Sequence, residues 1–111
     1  MMTYDTFKKL EDIKPFEVAP GIVGKIIHTD KMSMSFFEIS KGAVLPEHHH
    51  IHEQTSFIQE GEFQFTIGGE TKVVTAGNYI NISGNTPHSA VALTDCKIID
   101  VFVPCREDYK H

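Results

Sequence analysis

The chemistry of this chain is concentrated in one run, Gly42-Ala43-Val44-Leu45-Pro46-Glu47-His48-His49-His50-Ile51-His52-Glu53-Gln54, which continues to Gly61. Four of the seven histidines fall within five positions of it. Neutral imidazole is the commonest protein ligand for divalent transition metals. The plain alternative is a solvated polar loop or a purification tag. A tag sits at a terminus, whereas this cluster lies mid-chain between apolar, strand-like segments. We therefore read it as a metal site. His48, His50, His52 and Gln54 share one parity, so a straight strand would point all four side chains the same way. Such a run covers roughly 20 Å at about 3.3 Å per residue, too far for all four to meet one ion. The chain must turn. His48 and His50 can chelate from one strand, a turn through residues 51–53 brings Gln54 back beside them, and His49 and His52 fall outside the ligand set. A third imidazole has to come from elsewhere. His88 follows a turn at Ser83-Gly84-Asn85 and opens a strand, which makes it the candidate. His28 and His111 have no comparable context and are read as structural or exposed.

A second reactive stretch lies near the C-terminus: Lys97-Ile98-Ile99-Asp100-Val101-Phe102-Val103-Pro104-Cys105-Arg106-Glu107-Asp108-Tyr109. On a strand, Ile98, Asp100 and Phe102 share a face opposite Ile99, Val101 and Val103. Asp100 is then a carboxylate within an apolar strand, and an isolated buried carboxylate is costly. Either it is a structural acid, paired or turned to water, or it is a general acid/base beside the metal, tuned by burial and the cation. Arg106 is either a surface arginine paired with Glu107 or Asp108, or a bidentate clamp for a substrate carboxylate.

The elements that must position these residues are short strands. Residues 22–29, 32–40, 55–59, 63–67, 71–75, 79–82, 88–93 and 97–103 read as strand-like runs separated by Gly, Asn, Asp and Pro. Ile67-Gly68-Gly69-Glu70 is a tight hairpin signal, since both glycines can take positive φ. Phe63, Phe65 and Ile67 share one face. In residues 1–20, Phe7, Leu10 and Ile13 recur at a spacing that permits a helical turn or two, and Pro15 and Pro20 break any continuation. The expectation is an all-β antiparallel barrel or sandwich. It forms a single domain over residues 21–111, behind an N-terminal extension of residues 1–20 that can help cover a sheet edge.

Composition narrows the function classes. The chain has 111 residues, enough for one modest core, and a net charge of −5 with no Lys/Arg run beyond Lys8-Lys9. Nucleic-acid binding therefore lacks its electrostatic footprint. No apolar run approaches a membrane span, and no signal-peptide pattern opens the chain. Two cysteines, Cys96 and Cys105, do not make a disulfide framework. A soluble cytoplasmic protein with free thiols is the expectation.

The residues resemble a known family, the cupins. Gly42, His48, His50, Gln54 and Gly61 stand at the spacing of the first cupin motif. Gly77 and His88 fit the second, although Ser83 and Asn85 replace its Pro and Gly, and Ala92 stands at its later Asn position. The resemblance implies a small β-barrel of two sheets, a jelly roll, holding one divalent transition metal; the ligand set does not choose among Ni, Zn, Mn, Fe and Co. Many cupins carry Glu where this chain has Gln54. A neutral set of three His and one Gln leaves the bound ion more positive and departs from the 2-His-1-carboxylate triad of iron oxygenases.

The C-terminal Asp-x-Phe-x-Pro-x-Arg-Glu-Asp-aromatic pattern, with the crowded histidines, is similar to the small cupins of the KdgF type. That resemblance implies metal ligation by His48, His50, Gln54 and His88, and action on substrate by Asp100, Phe102 and Arg106. It implies ring-opening ketonisation of 4,5-unsaturated monouronates from pectin or alginate breakdown, hence a small anionic sugar-acid substrate. A homodimer is also expected, since small cupins often pair through sheet edges and the apolar strands here would allow it. Two other readings stand beside this one: a metal-bearing cupin that binds a small ligand without turnover, and a cupin dioxygenase acting on a small metabolite.

Overall fold

The computed structural model describes residues 6–110; His111 lies outside the described residues. Ten strands follow in order: β1 (Phe16–Ala19), β2 (Ile22–His28), β3 (Ser33–Ile39), β4 (Val44–His48), β5 (Glu53–Glu60), β6 (Glu62–Ile67), β7 (Glu70–Thr75), β8 (Tyr79–Ile82), β9 (His88–Ala92) and β10 (Cys96–Val103). They form two antiparallel sheets, one ordered β1-β2-β3-β10-β5-β8 and the other β4-β9-β6-β7. The all-β, two-sheet expectation holds. Among the described residues no helix is long and apolar enough to cross a membrane.

Two of these strands were not legible as strands. β4 contains Pro46 and two apolar residues, a composition that argues against a ladder strand. It survives as an edge strand whose pairing with β9 shifts between Leu45 and His48, around the proline. β1 lies between Pro15 and Pro20, pairs among the described residues only with β2, and carries a register shift between Glu17 and Ala19. It covers the free edge of β2. The helical turn reduces to a 3₁₀ turn at Leu10–Asp12 that buries none of its residues. The hairpin at Gly68 and Gly69 forms as expected, with φ of 55° and 86°, values open to glycine without steric cost.

The inward faces divide the barrel lengthwise. In β10 the buried positions are Cys96, Ile98, Asp100 and Phe102. Register places Ile98 between Phe37 of β3 and Ile58 of β5, Asp100 between Ser35 and Ser56, and Phe102 between Ser33 and Gln54. One end of the barrel is thus filled by isoleucine and phenylalanine, joined from the other sheet by Phe63, Phe65, Ala90 and Ala92. Each such fully buried large side chain stabilises the fold by about 1.5–3 kcal/mol. Toward the other end the same strands turn small and polar. The buried polar residues Ser33, Ser35, Gln54, Ser56, His88, Asp100 and Arg106 gather there. The apolar end forms the hydrophobic core, and the polar end gathers the candidate site residues.

Candidate metal centre and active site

β4 ends at His48, and the chain bends through residues 49–52 before β5 begins at Glu53. His50 therefore lies in the loop rather than on the strand with His48. The bend is held from across the barrel. In the 83–85 turn, Asn85 adopts φ 62° and its backbone N–H donates to the His50 carbonyl at 2.6 Å. Asn tolerates this left-handed conformation better than other non-glycine residues, which is why the turn closes without a glycine at this position. A Cβ on Gly84 would come within 2.5 Å of the Ile51 carbonyl oxygen, so the two loops touch backbone to backbone. His88 opens β9 directly opposite His48 in the ladder.

These supports bring three imidazoles together. Ligand atoms of His48, His50 and His88 all lie within 4.8 Å of one another. Each ring accounts for its Nδ1 in the same way. His48 Nδ1 donates to the Pro46 carbonyl (3.0 Å), His50 Nδ1 to the His52 carbonyl (3.1 Å) and His88 Nδ1 to the Thr86 carbonyl (2.9 Å). A ring whose Nδ1 carries the proton presents Nε2 as a lone pair, the form that ligates a metal. The Nε2 of His88 is buried and has no hydrogen-bond partner, an omission that normally costs stability. Gln54 completes the pattern. Its Nε2 donates to Ser56 Oγ (2.9 Å), which turns its Oε1 toward His50 Nε2 at 3.0 Å. Two lone pairs then face each other, an arrangement that a cation between them relieves. The donor set fits a divalent transition ion with His48, His50, His88 and Gln54 as its ligands. Burial, then the charge of Arg106, pulls the pKa of His50 down to about 4, and burial lowers that of His88. Both rings are therefore neutral and ready to ligate near pH 7.

His49 is exposed, and His52 turns away, its Nε2 3.1 Å from the Cys105 carbonyl. His28 Nδ1 lies 2.7 Å from Ser33 Oγ, a structural contact.

The second half of the site comes from β10. Asp100 is 7% exposed and accepts from Ser56 Oγ at 2.5 Å. Burial raises its pKa to about 6, against the opposing pull of the Ser56 and Gln54 hydrogen bonds and the Arg106 charge. It is buried, and among the described residues it forms no ion pair with a Lys or Arg. Phe102, 2% exposed, packs its ring edge-on to His50 at 5.8 Å between centroids. Arg106 follows the cis Val103-Pro104 bond and is 6% exposed, buried rather than a surface arginine. Its backbone N–H donates to Ser33 Oγ (2.8 Å). Its guanidinium is 4.7 Å from the Phe102 ring centroid and 4.0 Å from that of Tyr109. His48, His88, Gln54, Asp100, Phe102 and Arg106 line one cavity.

Two contributors, Ser56 and Tyr109, escape a reading of the sequence, whereas Asp108 is one of the two acids expected beside Arg106 and does pair with it. Ser56 links Gln54 to Asp100; its only signal was its inward parity with Gln54 and Ile58. Asp108 and Tyr109, in a 3₁₀ turn at Glu107–Tyr109, flank the Arg106 side chain. Nothing in the strand pattern announced that this turn folds back over the barrel.

Comparison with known proteins agrees with this geometry. A family model described as "Cupin domain" matches residues 35–102. The chain is 33% identical over 104 residues to "Pectin degradation protein KdgF" of Dickeya dadantii, covering 90% of this chain and 94% of that one. Among solved structures, it is similar to an RmlC-like cupin from Shewanella frigidimarina (TM-score 0.90, 30% identity, 99% of this chain and 100% of the other). It is also similar to KdgF from a Halomonas species (TM-score 0.88, 31% identity, 96% and 100%).

Proposed function

Because this chain belongs to the cupin family, we propose that it is a metal-dependent isomerase-like enzyme that opens and ketonises 4,5-unsaturated monouronates. The reading is supported by its likeness to KdgF, a pectin degradation protein. The observation that carries it is one cavity lined jointly by His48 and His88 of the histidine triad, a buried acid and a buried arginine. Such a substrate is a small anion with a cyclic hemiacetal, an enol ether and a carboxylate.

His48, His50, His88 and Gln54 would hold a divalent ion, which when bound would polarise and orient the sugar's oxygens. Arg106 takes the carboxylate through its planar fork. Phe102 forms an apolar wall that fixes the ring and excludes water. Asp100 moves the proton. The C1 hydroxyl gives up its proton as the bond from C1 to the ring oxygen breaks, leaving an aldehyde at C1 and an enol at C5. C4 then takes a proton as C5 becomes a ketone. No atom is gained or lost, and Asp100 returns to its starting state. A carboxyl group with a pKa near 6 suits both directions of transfer near neutrality. Two unpaired, buried cysteines suit a reducing cytoplasm. Phe57 and Tyr79, exposed and paired in register on neighbouring strands, suit a homodimer face.

The test is the absorbance decay of unsaturated galacturonate, and separately of the alginate-derived unsaturated uronate. The substrate reacts spontaneously, so the blank sets the scale. A decay clearly faster than the blank, dependent on added Ni, Zn, Mn, Fe or Co, is expected. Decay at the blank rate with every metal would leave a ligand-binding cupin; oxygen uptake with iron would point to a dioxygenase.

A further inference from the structure

Arg106 is unusual among the chain's cations in being buried with its charge: its side chain is 8% exposed, whereas that of its partner Asp108 is 58% exposed. The contact is a two-point fork, Nε to Asp108 Oδ1 at 3.0 Å and Nη2 to Oδ2 at 2.8 Å. Asp108 is absent from the cavity lining, while Arg106 and Tyr109 are part of it. Burial alone would lower the pKa of Arg106; the Asp108 hydrogen bonds and Tyr109 more than offset it, so the guanidinium stays charged.

We propose that Asp108 is a positioning residue: it orients Arg106 from behind and thereby sets the preference of the cavity for a sugar bearing a carboxylate over a neutral one. The proposal rests on the reading of Arg106 as the carboxylate clamp. The fork occupies the Nε side of the guanidinium and leaves the Nη1 end outside its grasp. The faces of Phe102 and Tyr109 fix the plane, with the two rings 6.0 Å apart and at 84° to each other. A long, flexible side chain is thus held before substrate arrives, and preorganisation of this kind lowers the cost of binding. The exposure asymmetry matters electrically. Water screens the Asp108 carboxylate, while the guanidinium faces a drier cavity, so the pair still attracts an anion from inside. An ordinary surface ion pair has no such consequence.

The experiment measures calorimetric binding of D-galacturonate and of D-galactose to metal-loaded wild type, Asp108→Asn and Asp108→Glu, with kcat and KM on unsaturated galacturonate alongside. Wild type is expected to prefer galacturonate. Asp108→Asn loses about tenfold of that affinity, the loss of one charge-assisted contact, with galactose binding unchanged. KM rises with kcat within about twofold, as for a loss of uniform binding. Asp108→Glu, which keeps the fork, restores most of the affinity and guards against a folding artefact in the first variant. Unchanged galacturonate affinity in Asp108→Asn overturns the proposal, as does an equal loss for both sugars or a wild type without preference. If wild type prefers galacturonate, Asp108→Asn loses that preference, and no ketonisation occurs in either, the proposed reaction fails and the positioning role stands.

Discussion

The two halves of the cavity are held by opposite means. On the histidine side, every ring is fixed by a carbonyl two residues away in its own segment: Pro46 for His48, His52 for His50, Thr86 for His88. On the acid side, the Arg106 side chain is gripped by nearby Asp108, but two further anchoring contacts span the chain. Ser56 donates to Asp100 across 44 residues, and Ser33 accepts from the Arg106 backbone across 73. The local half acquires its ring orientations from loop conformation. The distant half exists only when β3, β10 and β5 are in register. Gln54 joins the two, with its Oε1 on His50 and its Nε2 on Ser56. Local anchoring gives ligands of fixed tautomer; long-range anchoring gives an acid whose proton affinity depends on the assembled barrel.

The largest effect is expected from the local half. His88→Ala removes a buried, proposed ligand, and the bound metal, read by elemental analysis, should fall below one tenth of wild type while ketonisation drops to the blank. Chelation of wild-type metal should reproduce that loss reversibly, which His88→Ala cannot.

Asp100→Asn probes the distant half and should lower the ketonisation rate about 100-fold or more, the scale of general acid–base catalysis. Stability should move the other way. The folded pKa of about 6 lies above the ordinary 3.8, so the folded chain holds this proton more tightly than the unfolded one. That contribution is complete below pH 3.8 and is lost as pH rises through 6, about 3 kcal/mol by neutrality in metal-free protein. Asparagine removes the loss, so metal-free Asp100→Asn should unfold at higher denaturant than wild type at pH 7. His50, pulled down to about 4, has the opposite sign: its stabilisation is present above 6.5 and declines as pH falls through 4. The two offset each other in wild type between about pH 4 and 6. Asp100→Asn should expose a stability that rises with pH across that window, and a flat profile would break the assignment.

Ser56→Ala cuts the link at Gln54 and should reduce metal affinity or activity by about 10- to 100-fold, the range found when a group orienting a ligand is removed. An unchanged affinity would show that the halves are independent. The smallest effect belongs to Asn85→Ala. A Cβ without a polar tip at φ 62° costs about 1–2 kcal/mol, measurable by denaturant unfolding. Asn85→Gly should be neutral, since glycine takes that conformation freely.

How much of this was readable follows from the same division. His48, His50, Gln54 and His88 stood out because spacing and a reach argument act within short segments. The hairpin at Gly68 and Gly69 and the shared face of Ile98, Asp100 and Phe102 followed from local conformation and parity. β4 and β1 were missed because edge strands need no ladder partner on one side and tolerate prolines that a central strand would not.

The sequence by itself determined the candidate ligand types, the alternation of the strands and the family, since each depends on residue identity at short separation. Only the tertiary structure decided that Ser56 would stand beside Asp100, that Asn85 would close the turn over His50, and that the Glu107–Tyr109 turn would seat Asp108 behind Arg106. Those contacts are set by strand register and by loops meeting across the barrel. A one-residue slip in register reverses every side chain of a strand, so such contacts come into being only when the two sheets have closed.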